Sequence, residues 1–145
     1  MNIAIASDHG GFELKQQLIE YFAAKGQILD DLGTCSTDSC DYPDIAKKMA
    51  KNILNNQNEL GILICGTGIG ISIAANRFKG IRAAVLYDDF TAEMTKKHNN
   101  ANVLVFGVRT MKFEDVIRRI EIFNNTEFEG GRHATRIAKI EEGVE

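Results

Sequence analysis

The stretch Gly61-Ile-Leu-Ile-Cys65-Gly66-Thr67-Gly68-Ile69-Gly70-Ile71-Ser72 decides the fold. Its first five residues are apolar and rich in branched side chains, the composition of a buried strand. Three alternating glycines follow, and then an apolar pattern of helical period begins. The stretch reads as strand, tight loop and helix, with a thiol at the carboxyl end of the strand. Open α/β sheets bind their ligands at that edge. Glycines let successive N–H groups turn toward one point, a nest for an oxyanion. A helix N-terminus favours the thiolate of a neighbouring cysteine. The segment offers a base or nucleophile beside an anion hole. On spacing alone, a core cysteine above a glycine turn describes it equally well.

Several familiar loops do not fit. A dinucleotide fingerprint needs G-x-G-x-x-G in the first strand–helix turn, whereas this loop is G-x-G-x-G and lies mid-chain. Asp88 does fall near the spacing of a ribose-binding acid, which keeps a nucleotide-binding module open as a second reading. A phosphate-binding P-loop needs Lys-Ser/Thr after the last glycine, where Ile71 stands. A thiol phosphatase needs an arginine closing the loop, and none lies between Cys65 and Arg77. A response regulator needs an aspartate at the third strand's end, which Cys65 occupies.

Outward from this stretch, apolar runs alternate with helical patterns. Strands are predicted over 2–6, 27–32, 61–65, 81–87 and 102–106. Phe12, Leu14, Lys15, Leu18, Ile19 and Phe22 follow the helical period, and Gly26 ends that helix. Pro43 suits the first turn of a helix whose buried stripe is Ile45, Ala46, Met49, Ala50, Ile53 and Leu54. Further helices are predicted over 89–98 and 113–123. The pattern is a three-layer, Rossmann-like α/β domain with a mainly parallel five-stranded sheet, one domain over residues 1–145. After it comes a C-terminal helical tail from about 129 to 145, with a Gly130-Gly131 hinge, Arg132, Arg136 and an Ile137/Ile140 pair. On its residues alone, such a tail suits packing on a neighbouring subunit and a solvated terminal helix equally well.

A net charge of −3 gives no general attraction to nucleic acid or to an anionic membrane, so any anion site is local. No apolar run approaches the roughly 18 residues of a spanning helix. The chain opens directly on a strand-like NIAIA without a basic leader, which gives a cytoplasmic expectation. Cys35, Cys40 and Cys65 lack metal-knuckle spacing, so neither a structural zinc site nor a disulfide framework is expected. Cys35 and Cys40 share one polar loop and are read as free thiols.

Polar residues gather where strands end. Strand one ends in Ser7-Asp8-His9-Gly10-Gly11, strand three in Cys65-Gly66-Thr67-Gly68, and strand five in Gly107-Val108-Arg109. His98-Asn99-Asn100 stands just before strand five. All are expected to converge on one sheet edge. The chemistry that fits is proton transfer at a carbon beside a carbonyl. A thiolate removes the proton, amides of the Gly66–Gly70 nest hold the enediolate oxygen, and a histidine moves protons on a sugar oxygen. Arginine recognises a phosphate by charge-assisted hydrogen bonds.

SDHGGFELK, DYPD, ICGTGIGISIAANRFKGIRAA, HNNANVLVFG and EGGRH together resemble the family of ribose, galactose and allose phosphate isomerases over nearly the whole chain. The resemblance implies an aldose–ketose isomerase acting on ribose 5-phosphate and ribulose 5-phosphate through a cis-enediol, without metal or other cofactor. It implies Cys65 as the base between C1 and C2, Thr67 assisting proton handling, and His98 opening the furanose ring. Asp8, His9, Asn99 and the amides of Gly66, Thr67, Gly68, Ile69 and Gly70 match sugar or oxyanion contacts, and Tyr42 matches a pocket residue. Arg109, Arg132 and Arg136 match phosphate-side groups, the last two expected from the neighbouring subunit of a homodimer or tetramer. Members that lack the cysteine carry a glutamate elsewhere in the loop; Ile69 and Ser72 place this chain with the cysteine type. Galactose 6-phosphate and allose 6-phosphate are the alternative substrates. The pentose is favoured because all the expected groups occur in one chain.

Overall fold

The computed structural model describes residues 1–34 and 38–143. Five strands, β1 (Ile3–Ser7), β2 (Asp30–Asp31), β3 (Leu60–Cys65), β4 (Ala83–Val85) and β5 (Val103–Gly107), form one sheet. Its order is β2-β1-β3-β5-β4, and every pairing is parallel. Between and after the strands run α1 (Phe12–Ala24), α2 (Tyr42–Leu54), α3 (Ile69–Ala75), α4 (Asp89–Lys97), α5 (Phe113–Asn124) and α6 (Arg132–Glu142). Parallel strands need such crossovers, and sheet strands covered on both faces read as continuous apolar runs. That is why LGILIC and VLVFG lack alternation.

Side chains alternate between faces along each strand. Ile3, Ile5, Ile62, Ile64, Leu104 and Phe106 pack with α1, α4 and α5 on one face. Ala4, Ala6, Leu63, Cys65, Val103 and Val105 pack with α2 and α3 on the other. The consequence for a ligand is direct. The chain leaving β3 turns to the α3 face, while the chains leaving its neighbours β1 and β5 turn to the opposite face. β3 therefore ends between two switch points, where crevices open at the carboxyl edge of a sheet.

The second and fourth strands are shorter than the sequence predicts. Both lie at sheet edges, where one side of the ladder is unpaired. Isolated bonds carry their pairing further: Leu32 N–H donates to Ile5 O at 2.9 Å and Leu86 N–H to Val105 O at 3.2 Å. Lys15, counted in the apolar face of α1, is fully buried and gives its charge to Asp31 Oδ1 at 2.7 Å. The same oxygen accepts Gly33 N–H at 2.9 Å, so a buried cation fixes the turn that leaves β2. Pro43 does stand in the first turn of α2. Cys35 lies outside the described residues. Among those residues no helix is long and apolar enough to cross a membrane.

A candidate active site in two halves

The carboxyl edge is built around the end of β3. Cys65 is buried, and its Sγ accepts a hydrogen bond from Gly68 N–H at 3.2 Å. Gly68 makes this return possible because its φ is +85°, a conformation glycine adopts without penalty. Ile69 N–H turns back to Thr67 Oγ1 at 3.2 Å. Two amides of the expected nest are thus engaged inside the loop, one of them on the thiol. The first helical bond of α3 runs from Ser72 N–H to Gly68 O at 3.2 Å. The Gly70 and Ile71 N–H groups precede it and are free of intrahelical acceptors.

Neighbouring elements close over this loop. A Cβ on Gly70 would fall 2.7–2.9 Å from the Tyr42 ring and hydroxyl, so the phenol at the start of α2 rests directly on that glycine. Beyond β5, Val108 and Arg109 N–H donate to Cys65 O at 3.0 Å and Gly66 O at 2.9 Å. The Arg109 Nε lies 3.6 Å from where a Gly66 Cβ would be. After β1, Asp8 is buried and its Oδ1 accepts Gly11 N–H at 3.1 Å. His9 is exposed, and its Nδ1 accepts Cys40 N–H at 3.2 Å. That acceptor role leaves the proton of the neutral ring on Nε2, which faces outward as a donor.

His98 and Asn99 do not join them. A helix that links two parallel strands must return against the strand direction. α4 therefore ends at the amino edge, and His98 caps it there, just before β5 begins. Arg82, which precedes β4, donates to Asn99 O at 3.2 Å and Asn100 O at 2.9 Å on the same edge. The expectation of one shared edge fails within a single chain. The two edges are four strand steps apart along β5, about 13 Å at ~3.3 Å per residue.

The amino edge has its own cluster, and α6 supplies much of it. The His98 ring stacks on His133, with centroids 4.1 Å apart and planes 11° from parallel. Glu129 lies against both, with Oε2 3.9 Å from His98 Nε2 and Oε1 3.6 Å from His133 Nε2. Glu129 N–H donates to Lys97 O at 2.9 Å, which anchors the start of the tail to the end of α4. Glu141 fixes the far end of α6 by accepting Gly80 N–H at 3.0 Å. Burial holds the His133 imidazole below the ordinary histidine range; the charges of His98 and Arg132 act the same way, against Glu129. Arg132 and Arg136 are exposed and four residues apart, so they share one face of α6. Ile137 is half-buried, whereas Ile140 is 54% exposed and is not covered by its own chain.

One edge thus gathers Asp8, His9, Tyr42, Cys65, Gly66, Thr67, Gly68, Ile69, Gly70 and Arg109. The other gathers His98, Asn99, Arg132 and Arg136, together with Glu129 and His133. Sequence reasoning assigned no role to these last two, although the motif Glu129-Gly-Gly-Arg-His133 contains both. It also passed over the exposed apolar side chains at the carboxyl edge: Ile69 and Ile73 one turn apart on α3, and Tyr87 and Phe90 after β4.

A parallel, doubly covered sheet with a thiol, a carboxylate and an amide-lined loop at its switch points places the molecule among the α/β proteins that hold small ligands at the carboxyl edge. A family profile described as Ribose/Galactose Isomerase matches residues 3–140, and the chain belongs to that family. It is 51% identical over 140 residues to a putative sugar phosphate isomerase of Rickettsia bellii, covering 97% of each chain. It is 41% identical over 138 residues to the ribose-5-phosphate isomerase B of Escherichia coli, covering 95% of this chain and 93% of that one. The solved structure of Clostridium thermocellum ribose-5-phosphate isomerase B superposes with a TM-score of 0.95 at 44% identity, over 98% of this chain and 96% of that one. The Mycoplasma genitalium enzyme, crystallised with bound ribulose 5-phosphate, superposes with a TM-score of 0.91 at 42% identity, over 98% and 95%.

Proposed function

We propose that this chain interconverts ribose 5-phosphate and ribulose 5-phosphate, and that each active site joins the carboxyl edge of one copy to the amino edge of another. The observation that carries the reading is the buried Cys65 thiol, at the crevice of a fold whose Mycoplasma genitalium relative holds ribulose 5-phosphate. The opposite placement of the two halves supports the shared site. So do Ile69, Ile73, Tyr87 and Phe90, large apolar side chains left exposed near the first half. The same assembly gives the exposed tail, residues 129–143, its place at the subunit interface. A phosphosugar substrate fits a cytoplasmic setting.

In this reading the phosphate is held by Arg109 of one copy and by Arg132 and Arg136 of the other. His98 protonates the ring oxygen as the bond from C1 to that oxygen breaks, and the aldehyde forms as the anomeric hydroxyl gives up its proton to solvent, from which His98 is reprotonated. Cys65, as thiolate, takes the proton from C2. The electron pair forms the C1–C2 double bond of an enediolate, whose oxygen is held by loop amides. The same thiol returns the proton to C1, while Thr67 assists the transfer of a proton from O2 to O1. Asp8, His9, Asn99 and Tyr42 position the sugar hydroxyls, His9 through its outward Nε2–H. No step calls for a cofactor.

The comparisons do not favour hexose 6-phosphates or a nucleotide-binding module as the main reading. The test is initial-rate turnover of ribose 5-phosphate beside allose 6-phosphate and galactose 6-phosphate, with adenine nucleotide binding measured in parallel. Pentose turnover is expected to dominate. Hexose turnover without pentose turnover, or nucleotide binding without any turnover, overturns the assignment. The shared site has its own test. A Cys65→Ala chain and an Arg132→Ala/Arg136→Ala chain, each inactive, should regain activity on subunit exchange, because one mixed site is intact. Verified exchange with no recovery means that the arginines serve their own chain or do not hold the phosphate.

A further inference from the structure

We propose that His98, Glu129 and His133 form a binding site for a divalent transition metal ion of the zinc class, and that filling it inhibits the enzyme by occupying His98. One ligand atom from each residue lies within 4.8 Å of the other two. A tetrahedral zinc ion with bonds of 2.0–2.1 Å holds its ligand atoms about 3.3 Å apart. His133 Nε2 meets Glu129 Oε1 at 3.6 Å and His98 Nε2 meets the other oxygen, Oε2, at 3.9 Å, so the carboxylate must turn to serve one ion and the widest ligand pair must close by as much as about 1.5 Å. The two rings are now stacked nearly parallel, 4.1 Å apart, and do not converge on one point. A turn of each ring about its Cβ–Cγ bond, a soft two-fold torsion, aims both at one ion.

His133 supplies the second observation. It is 5% exposed, and its Nε2 has no hydrogen-bond partner among the described residues. A buried imidazole nitrogen left open in this way calls for a partner. The isomerisation steps above make no use of it. Two imidazoles and a carboxylate are a familiar zinc-binding set with room for a further ligand. The surrounding charge sets a limit. Arg132 lies 3.7 Å from Glu129 Oε1 and competes for it, and Arg136 adds a second cation one turn on. The site is accordingly a weak, reversible one that regulates rather than a home for a resident ion.

The inhibition rests on the ring-opening role given to His98; the binding does not. Co²⁺ is titrated into the metal-free full-length protein, and its visible d–d absorption is followed. Zn²⁺ is then tested against isomerase turnover, with and without a chelator. One Co²⁺ per chain is expected, with no binding in Glu129→Gln or His133→Gln. Zn²⁺ should slow wild-type turnover on the order of 10²-fold, the lower range for loss of an acid–base group. The chelator should restore it, and both variants, each scored against its own metal-free rate, should resist Zn²⁺. Binding that survives in both variants overturns the site, as does a wild type that binds no Co²⁺. So does a near-ultraviolet sulfur-to-cobalt band that disappears in Cys65→Ser, which would put the ion on the thiol. If His133→Gln does not fold, Glu129→Gln, at an exposed position, decides alone. Binding that follows the variants without affecting turnover overturns the inhibition and removes His98 from ring opening, while the binding site itself stands.

Discussion

Gly107→Ala adds one methyl group at the last residue of β5, where the sheet meets the Thr67 loop. The new Cβ would stand 2.5 Å from the Thr67 carbonyl oxygen and 2.6 Å from its Cα, with the carbonyl carbon equally crowded. Carbon atoms rest comfortably at about 3.5 Å, so the overlap is about 1 Å. No flexible side-chain end is there to yield, because the clashing atoms are backbone. β5 is paired along its length with β3 and fully buried, so the loop gives way rather than the strand. Overpacking of this kind costs about 1–3 kcal/mol of stability, a fall of several degrees in Tm. A shift of about 1 Å in a catalytic loop costs on the order of 10²-fold in rate. Cys65 Sγ, the Gly68 N–H and Thr67 move together, so the loss should appear in kcat more than in KM. The assay is initial-rate conversion of ribose 5-phosphate, with a thermal melt to show that the variant is folded at the assay temperature. A folded variant with kcat within twofold of wild type would refute the claim that this loop holds the reacting groups.

Cys65→Ala should remain folded and bind substrate while turnover falls about 10²–10⁴-fold, the range for loss of a general base; substrate binding by calorimetry beside the rate measurement checks both halves. Wild-type activity should survive exhaustive chelation, and revival of an inactive metal-free preparation by one divalent ion would contradict the metal-free scheme. The pH dependence of stability should carry a mark of His133. Its folded-state affinity for protons lies below that of an exposed histidine, so the unfolded chain binds the proton first as pH falls. Stability should drop on acidification from about pH 7 to pH 5. His133→Gln should flatten that part of the curve of denaturant midpoint against pH.

Much of this molecule is legible in the chain itself. The β-branched run into Cys65, the glycines after it and the repeated strand–helix rhythm specify a parallel α/β sheet. The short edge strands were harder to bound, because Gln27–Leu32 carries polar residues and only one neighbour to pair with. The larger error concerned His98 and Asn99. Sequence proximity to β5 suggested that they lie with the other strand-end residues. Yet a residue before a parallel strand and a residue after one are at opposite edges by necessity. The order of elements contained that fact, and no side-chain property was needed to see it. The pairing of Glu129 with His98 and His133 is different in kind. It depends on how α6 folds back across the end of α4, between residues far apart in sequence, and neither composition nor periodicity specifies it.

The separation of the two halves sets the symmetry of any assembly that completes them. On the proposed shared site, each copy offers one socket and one plug, at opposite edges of the sheet. A two-fold pair matches socket to plug twice in a single contact, so it yields two whole sites and stops growing. A head-to-tail pair completes one site and leaves an unmatched half exposed at each end, ready to recruit another copy. Growth that stops at two therefore depends on the angle between the halves, and that angle is set by how far α4 and α6 carry the amino-edge cluster around the sheet.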